Sequence, residues 1–419
     1  MGTDEKDIFV YSDRGINEPE LMGILHTSSY RKDELFSFEY SKEWLRTAGQ
    51  SIILDPDLRY YEGRQYAPHG KSLFGIFTDS CPDRWGRLLM NRKEAIIAKK
   101  DGRKPRTLTE SDYLLGVFDE TRMGALRLSA AEGGPFLAEG KELPVPPWTT
   151  LRALEAASLA FERDESGQEE KWLDQLLAPG SSLGGARPKA SVRSPDGSLW
   201  IAKFPSAHDE WDIGAWEIVV HNLALQCGLN VPEAKTEAFS DTGSSFLVKR
   251  FDRTGTRRIH FSSAMTLLGR TDGDGADGAS YLDIASFIRA NGASPKADLG
   301  ELWRRIVFSI AVSNTDDHLR NHGFLLTDQG WSLSPMFDVN PNIYGDSLSL
   351  CITKYDSAMR FELALETCDF YDVDIICARS LISEMKQIIS GNWRKIAARY
   401  GLGKSAIERM SAAFDMEYK

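Results

Sequence analysis

The sequence predicts an α+β protein in which a small α/β domain precedes a strand-rich lobe and a mostly helical lobe. Three observations support this fold class: the length, a Pro-rich stretch near residue 145, and a change from short strands to long helical periodicities near residue 281. Single hydrophobic cores stop growing near ~250 to 300 residues. A chain of 419 residues with 42% hydrophobic composition therefore fills two or three cores.

The predicted domains are residues 1–145, 146–255 and 256–419. In the first, short apolar segments alternate with turn signals from Asp7 to about Leu128, as in a small mixed domain. The stretch 139–147 is rich in proline and glutamate, which is typical of a stiff connector, and it gives the boundary near residue 145.

Apolar periodicity locates the predicted elements. In the first domain these are strands at Ile8–Tyr11, Leu35–Tyr40 and Ile52–Leu54 and a helix at Asp83–Lys100. The second lobe has strands near 189–194, 198–204 and 245–251 and a helix at Trp211–Gln226. The third is helical at Ser280–Asn291, Ala297–Ser313, Phe361–Cys368, Asp372–Tyr400 and Lys404–Phe414, with extended pieces around 323–352.

The charge and cysteine content restrict the environment and the partners. A formal net charge of -11 opposes bulk attraction to nucleic acid or to an anionic membrane, and no apolar run approaches the ~18 residues of a membrane span. The closest two of the five cysteines lie nine apart, so no CxxC spacing exists, and buried free thiols are expected. A cytoplasmic location fits these features.

The segment 84–106 is positively charged, in contrast to the negative net charge of the whole chain, because it has nine basic and two acidic residues. The favoured interpretation is a solvated amphipathic helix and tail, with a core-facing stripe of apolar side chains. The stripe consists of Trp85, Leu88, Leu89, Ile96 and Ile97. A contact with DNA or with an acidic partner is the alternative.

An acidic and amide-bearing cluster follows an apolar run at residues 310–324. In kinase-type phosphoryl transfer an Asp accepts the proton of the substrate hydroxyl, and an Asn five residues later holds Mg²⁺. Asp316 and Asn321 have this spacing, and Asp338 follows the Pro-marked segment 333–337 where a second Mg²⁺ ligand is expected. ATP chemistry is the first hypothesis. A helix-capping turn at 314–317 is the alternative, but capping requires neither Asn321 nor Asp338.

The two adjacent carboxylates should differ in role. Successive residues of an extended backbone point to opposite sides, so only one of Asp316 and Asp317 reaches the substrate, and the spacing to Asn321 favours Asp316. His318 and His322 have the i, i+4 spacing of a zinc-protease pair, but Leu319 follows the first histidine where glutamate is required. A zinc hydrolase is therefore disfavoured.

A glycine-rich loop and a strand lysine are the candidate phosphate contacts. The loop 181–189 contains Gly184 and Gly185, which let a backbone approach phosphates, although it matches neither the Walker A nor the dinucleotide pattern. Lys203 is the cation of an apolar strand, and Glu217 on the next helix is placed to pair with it, as in kinases. Taken singly, a hairpin turn, an exposed edge lysine and a solvated helix residue are the alternatives.

Taken together, these motifs resemble the HipA family of bacterial serine/threonine kinase toxins. The matching segments follow one order along nearly the whole chain, which makes a chance match improbable. They are Pro82–Arg87, Tyr113–Arg127, Ser182–Lys189, Lys203, Val248–Arg253, Asn314–Asn321 and Met336–Val339.

The resemblance implies a bilobal, protein-kinase-like fold and a role for each matching residue. Asp316 would be the catalytic Asp, Asn321 and Asp338 the Mg²⁺ ligands, and Lys203 the clamp on the phosphates of ATP. The phosphate-covering loop would comprise Gly184, Gly185, Ala186, Arg187, Pro188 and Lys189. The nucleotide site would be completed by a hinge beside adenine, Lys249, Arg250 and Phe251, and by His318 and Phe337.

The resemblance also implies regulation and partners. The family's inhibitory autophosphorylation would fall on Ser182, with Ser181 as second choice, and Pro188 stiffens the loop beyond the simple pattern. Members are held by a small helix-turn-helix, HipB-like antitoxin, and through it they reach operator DNA. Known targets in the family include aminoacyl-tRNA synthetases, while this sequence identifies no substrate protein. The alternatives are a non-catalytic corepressor subunit and a small-molecule phosphotransferase.

Overall fold

The computed structural model describes residues 5–14, 18–30, 33–47, 53–137, 145–163, 169–180, 185–271, 278–417 and 419. The chain forms two compact units, Met1–His208 with Asp252–Ser262, and Asp209–Phe251 with Ser263–Lys419. The division into domains at residues 145 and 255 stays a prediction. Ser181, Ser182 and Gly184 lie outside the described residues.

The elements up to residue 208 are β1 (Glu5–Ser12), β2 (Glu20–Tyr30), β3 (Asp33–Tyr40), α1 (Lys42–Thr47), β4 (Gln65–Tyr66), α2 (Gly75–Thr78), α3 (Arg84–Lys100), α4 (Glu110–Leu115), β5 (Leu126–Ser129), a 3₁₀ helix (Trp148–Thr150), α5 (Leu151–Glu162), α6 (Glu169–Gly180), β6 (Lys189–Arg193) and β7 (Leu199–Lys203).

The later elements are α7 (Ile213–Gln226), β8 (Ala234–Ser240), β9 (Gly243–Lys249), β10 (Arg253–Thr254), β11 (Arg257–Arg258), β12 (Phe261–Ser263), α8 (Ala264–Leu267), α9 (Tyr281–Asn291), α10 (Pro295–Val312), a 3₁₀ helix (Leu319–Asn321), β13 (Gly323–Thr327), β14 (Gly330–Leu333), α11 (Phe361–Glu366), a 3₁₀ helix (Cys368–Tyr371), α12 (Ile375–Arg399), α13 (Lys404–Arg409) and a 3₁₀ helix (Met410–Phe414).

An antiparallel sheet with the strand order β4-β3-β2-β1-β5 organises the first unit. Alternation sets its buried face, because successive side chains of a strand point to opposite sides. Ile8 and Val10 are buried, whereas Asp7, on the opposite face of the strand, is exposed. On the buried face Phe38 packs against Phe77, with ring centroids 5.7 Å apart. Burial of this apolar face is the main stabilising contribution.

Helix α3 carries the basic segment, and its burial corrects the predicted stripe. Trp85 and Leu89 are buried as expected, but Leu88 and Ile97 are 43% and 39% exposed. The second half of the helix instead buries Glu94, which accepts hydrogen bonds from Nη1 of Arg103 (2.6 Å) and from the backbone N–H of Arg106. The tail after α3 therefore folds back onto the helix, which a helical periodicity could not indicate.

The second unit is mostly helical and packs around α7, α10 and α12. Gly214 in α7 lies so close to β9 that an added Cβ would sit 2.0 Å from the carbonyl oxygen of Ser244, so glycine is required there. Trp393 of α12 stacks on Phe414 with centroids 4.5 Å apart and lies 6.4 Å from Trp216 of α7. These aromatic contacts join three parts of the unit in one core.

The predicted helices of this unit are confirmed to within a few residues, except that the last one ends at Arg409 and continues as a 3₁₀ helix. In the first unit, Ile53 and Leu54 form no strand. The expectation of buried thiols is wrong for Cys377, which is exposed, and Cys351 is only partly buried. Within the described ranges, no helix is both long enough and apolar enough to cross a membrane.

Candidate active site

Helix α10 ends where the predicted site begins. Ser313 adopts the left-handed conformation (φ 55°) and turns the chain out of the helix. Its hydroxyl donates to the carbonyl of Ala413 (2.9 Å), and Nζ of Lys419 donates to the Ser313 hydroxyl (2.7 Å) and to the carbonyl of Ala311 (3.2 Å). Hydrogen bonds therefore hold the C-terminal end of α10 in place. Residues 313–322, which begin there, are named the Asp316 segment.

Asp317 anchors this segment from inside. Asp317 is 4% exposed, and its side chain accepts hydrogen bonds from the Tyr281 hydroxyl (2.6 Å) and the Ser309 hydroxyl (3.1 Å), while Nε2 of His322 lies 2.9 Å from its Oδ1. Burial alone would raise the pKa of Asp317, but the charge and hydrogen bond of His322, with both hydroxyl donors, hold it below its ordinary value. The carboxylate is therefore charged at neutral pH.

Asp316 is exposed whereas Asp317 is buried, as predicted, but residues 315 and 316 form a turn, so an extended backbone is not the cause of the difference. The backbone carbonyl of Asp316 accepts from the N–H of His318 (3.0 Å) and from Nδ2 of Asn321 (2.9 Å). This bond orients the Asn321 amide and leaves Oδ1 as its acceptor atom. The 3₁₀ helix 319–321 has no side-chain cap, so the helix-capping interpretation of the motif is wrong there.

The segment that carries Asp338 is tied to the Asp316 segment. The N–H of Asn340 donates to Oδ1 of Asn314 (3.3 Å), and the N–H of Asn342 donates to the carbonyl of Ser313 (3.0 Å). Asp338 itself is exposed and left-handed, with φ 57°. Asn321 and Asp338 thus offer an amide oxygen and a carboxylate on two hydrogen-bonded segments, and such oxygen ligands suit Mg²⁺.

The predicted nucleotide-lining residues of the second unit divide into two groups. Phe251 and Phe337 are partly buried and contact each other, with ring centroids 5.6 Å apart, and His318 is also partly buried. Lys249 directs its Nζ to Glu233 (3.3 Å), and Arg250 is 4% exposed. One residue of the predicted hinge, Phe251, therefore belongs to an aromatic pair, whereas the Lys249 side chain pairs with Glu233.

The phosphate-contact candidates of the first unit come together on one hairpin. Lys189 of β6 stands directly opposite Lys203 of β7 in the antiparallel register. Gly185 has φ 89°, and a Cβ built on it would lie 2.5 Å from Nζ of Lys189, so that the ammonium group lies over the glycine. Two loop residues that precede Lys189 bind Phe204. Nη2 of Arg187 donates to the Phe204 carbonyl (3.4 Å), and the carbonyl of Pro188 accepts from the N–H of Phe204.

The start of α3 holds this loop, which sequence reasoning missed. Oδ2 of Asp83 accepts from the N–H of Gly185 (2.7 Å), and its Oδ1 accepts from the N–H of Arg84 as the helix cap. The N–H of Trp85 donates to the carbonyl of Gly185 (3.2 Å), and its indole Nε1 donates to that of Lys189 (3.1 Å). In the sequence, residues 82–87 were noted only as a segment that resembles the HipA family. That resemblance did not indicate that Asp83 and Trp85 bind the loop.

The predicted ion pair between Lys203 and Glu217 joins residues of different units and stays a prediction. Lys203 is partly buried, and Glu217 is 4% exposed, so the interpretation of Glu217 as a solvated helix residue is wrong. A carboxylate at this depth needs an ionic or hydrogen-bonding partner. Its burial is compatible with a structural role in the predicted clamp.

The basic segment is partly neutralised within the first unit. Arg87 binds Glu110 with two hydrogen bonds of 2.7 and 2.6 Å, and Arg106 binds Asp112 in the same way at 2.7 and 3.0 Å. Hydrogen bonds from Arg103 and from the Arg106 backbone lower the pKa of Glu94 to about 2. Arg87, Arg103 and Arg106 are therefore in local ion pairs.

The chain has an α+β, kinase-like fold. Over 97% of this chain and 95% of the other, the structure superposes with a TM-score of 0.63 and 17% identity on a chain of the Shewanella oneidensis MR-1 toxin-antitoxin complex of HipA, HipB and operator DNA. The HipA-like C-terminal domain matches residues 181–413, more than half of the chain. The protein belongs to the HipA family.

Two curated relatives indicate how far the similarity extends. The "Serine/threonine-protein kinase toxin HipA" of Shewanella oneidensis is 25% identical over 332 residues, 69% of this chain and 72% of the relative. The "Putative kinase Y4mE" of Sinorhizobium fredii is 29% identical over 192 residues, 40% of this chain and 44% of the relative. The chain thus spans less than half of the length of this second relative.

Proposed function

We propose that the protein is a Mg-ATP-dependent serine/threonine protein kinase. The observation that carries this proposal is the hydrogen bond from Nδ2 of Asn321 to the carbonyl of Asp316 (2.9 Å), which fixes the amide while the Asp316 carboxylate is exposed. The carboxylate of Asp317, by contrast, is buried and accepts hydrogen bonds from the Tyr281 and Ser309 hydroxyls. An exposed acceptor beside an oriented amide oxygen is what the kinase template requires.

In this function each residue has a distinct task. Asp316 orients the substrate hydroxyl and takes its proton, and because an Asp of ordinary pKa near ~3.9 is a weak base, proton transfer is late and orientation contributes most. Asn321 Oδ1 and Asp338 would hold Mg²⁺, which when bound would neutralise charge on the phosphate oxygens. By the family resemblance, Phe251, Phe337 and His318 would contact the base, and residues 184–189 with Lys203 would contact the phosphates.

The biological role proposed for this activity is that of a toxin in a toxin-antitoxin module. The relative from Shewanella oneidensis carries that name, and the related complex contains HipB and operator DNA. A small HipB-like antitoxin, operator DNA reached through it, a cytoplasmic location and a host protein substrate of the aminoacyl-tRNA synthetase class complete the proposal. Phosphate on Ser182 would add about -1.5 to -2 charges and repel ATP, so the kinase would inactivate itself.

The test compares wild type with Asp316→Asn in radiolabelled phosphate transfer to host lysate and in intact-mass spectrometry after incubation with ATP. We expect the variant to lose at least ~10³-fold of the transfer activity and all phosphate on the chain, because the hydroxyl is no longer positioned. Mg-ATP binding and thermal stability should persist, since the Asn321 amide binds the main chain of residue 316. Full transfer by the variant would exclude Asp316 as the catalytic residue.

The same experiment separates the alternatives. A purified wild-type chain that transfers no phosphate yet supports repression by an antitoxin would be a corepressor, and the local ion pairs of Arg87, Arg103 and Arg106 weaken the direct DNA contact which that alternative invoked. Turnover of a soluble alcohol or aminoglycoside without protein labelling would indicate a small-molecule phosphotransferase.

A further inference from the structure

Two aromatic side chains beside the Asp316 segment have no role in the proposed chemistry. The rings of Trp211 and Tyr344 contact each other, with centroids 6.2 Å apart and planes inclined by 39°. Tyr344 is 61% exposed and Trp211 is partly buried. Large exposed aromatic side chains are costly in water and are enriched where proteins bind partners. The pair is named the aromatic platform.

Hydrogen bonds through Asn342 join the backbone of Tyr344 to Thr315, the residue that precedes Asp316. Nδ2 of Asn342 donates to the hydroxyl of Thr315 (2.7 Å), and Oδ1 of Asn342 accepts from the N–H of Tyr344 (2.9 Å). A Cβ built on Gly345 would lie 3.5 Å from Cγ2 of Thr315, and the Ser349 hydroxyl donates to the Thr315 carbonyl (2.8 Å). A group bound to the platform would therefore lie near the hydroxyl that Asp316 orients.

The two chain segments that form the platform carry negative charge only. Residues 209–234 contain Asp209, Glu210, Asp212, Glu217 and Glu233, residues 321–353 contain Asp328, Asp338 and Asp346, and neither segment contains lysine or arginine. Glu210 and Asp346 are exposed, whereas Asp212 accepts from the N–H groups of Ala215 and Ser244 (2.9 Å each). The exposed acids adjoin the platform residues in sequence, so they favour a cation there.

We propose that the platform binds a lysine or arginine side chain of the protein substrate, close to the serine or threonine that receives phosphate. Aromatic faces attract cations, and the nearby carboxylates add to this attraction. An adenine ring would bring phosphates toward these acids, so the platform does not fit the nucleotide. The inference rests on the proposed kinase function and names a class of substrate for it: segments with a basic residue flanking the acceptor.

The deciding measurement is calorimetric binding of short serine peptides to the full Asp316→Asn chain with Mg-ATP. The peptides differ only in whether the flanking residue is arginine, its neutral analogue citrulline, or glutamate. We expect the arginine peptide to bind about tenfold more tightly than the citrulline peptide, and the glutamate peptide to bind most weakly. Adding Tyr344→Ala should reduce the affinity for the arginine peptide to that for citrulline.

Tyr355→Ala is the matched control, since Tyr355 is 80% exposed on the same stretch of chain and its ring faces Nζ of Lys354 at 5.2 Å. It should leave all peptide affinities unchanged, and thermal melting should confirm that both variants fold. Equal binding of the arginine and citrulline peptides, or an unchanged arginine affinity in Tyr344→Ala, would overturn the platform.

Phosphate transfer by the wild-type chain separates the two proposals. Transfer to arginine and citrulline peptides with equal kcat/KM would overturn the platform and leave the kinase in place. Charge-selective binding without any transfer to peptide or lysate protein would overturn the kinase and leave the cation site in place.

Discussion

The Asp316 segment and the loop exit at Gly185–Lys189 are held in different ways. Side chains from α9, α10 and the chain after β14 converge on the Asp316 segment, through Tyr281, Ser309 and Asn342. Backbone groups of Gly185 and Lys189 bind the loop exit to the N-terminal end of α3, and Lys189 itself is buried. Both regions belong to the predicted ATP site, and the first is held around a buried carboxylate, that of Asp317.

This difference matches the demands of the two tasks. A residue that orients a hydroxyl must stay within a fraction of an ångström of its position, and buried networks provide that rigidity. A loop that covers phosphates must admit them and release them, so it benefits from backbone contacts that can adjust. We expect substitutions in the two regions to separate stability from ligand binding.

Asp317→Ala should have the largest effect on stability. It removes the acceptor of the Tyr281 and Ser309 hydroxyls and leaves His322 without its carboxylate, so we expect a loss of about 3 to 5 kcal/mol in the free energy of unfolding. Urea or thermal unfolding measures it. Asp316→Ala, at the exposed neighbouring position, should change stability by less than ~0.5 kcal/mol. Similar losses in both variants would show that the Asp316 segment is not anchored from inside.

Gly185→Ala should have an intermediate effect that appears mainly in ligand binding. Its φ of 89° disfavours alanine by about 1 to 2 kcal/mol, and the added Cβ would displace Nζ of Lys189. Gly197→Ala is the control, since its φ is 86° but no atom lies within 4 Å of the added Cβ. We expect similar stability losses in both and a several-fold rise in KM for ATP only in Gly185→Ala. An equal KM for ATP in both variants would show that the loop exit does not contribute to ATP binding.

Asp83→Ala should lower stability by about 1 kcal/mol, less than Asp317→Ala, because a helix cap is lost. The same change removes the acceptor of the Gly185 N–H, so amide hydrogen exchange at Gly185 should accelerate. Thr109→Ala removes the cap of α4 in the same unit and should leave that exchange rate unchanged. Unchanged exchange in Asp83→Ala would show that the loop exit is held by other contacts.

The sequence was sufficient for features that depend on local spacing. The helices of the second unit and the hairpin with Lys203 follow from periodicities of 3.6 and 2 residues, whereas the different exposure of Asp316 and Asp317 arises at a turn. The resemblance to the HipA family supplied the family and the fold, both of which are confirmed. The roles of the individual site residues stay predictions.

Features that depend on contacts between distant residues were not predictable. The bond from Gly185 to Asp83 spans 102 positions, and the one from Tyr281 to Asp317 spans 36. Leu88 and Ile97 were assigned to the core because the helix was considered without its tail, which binds Glu94 and changes the buried face. Residue patterns indicate which side chains have the chemistry for a function. Which of these side chains are held in position depends on contacts in the folded chain.

The left-handed backbone at Asp338 limits the residues this position accepts before any metal is considered. At φ 57° glycine, asparagine and aspartate are tolerated, while branched and other bulky side chains strain the chain. Asparagine keeps the shape and removes the charge, so it isolates the electrostatic contribution of the side chain. Alanine at the same position would combine that loss with a conformational penalty, and its phenotype would have two causes.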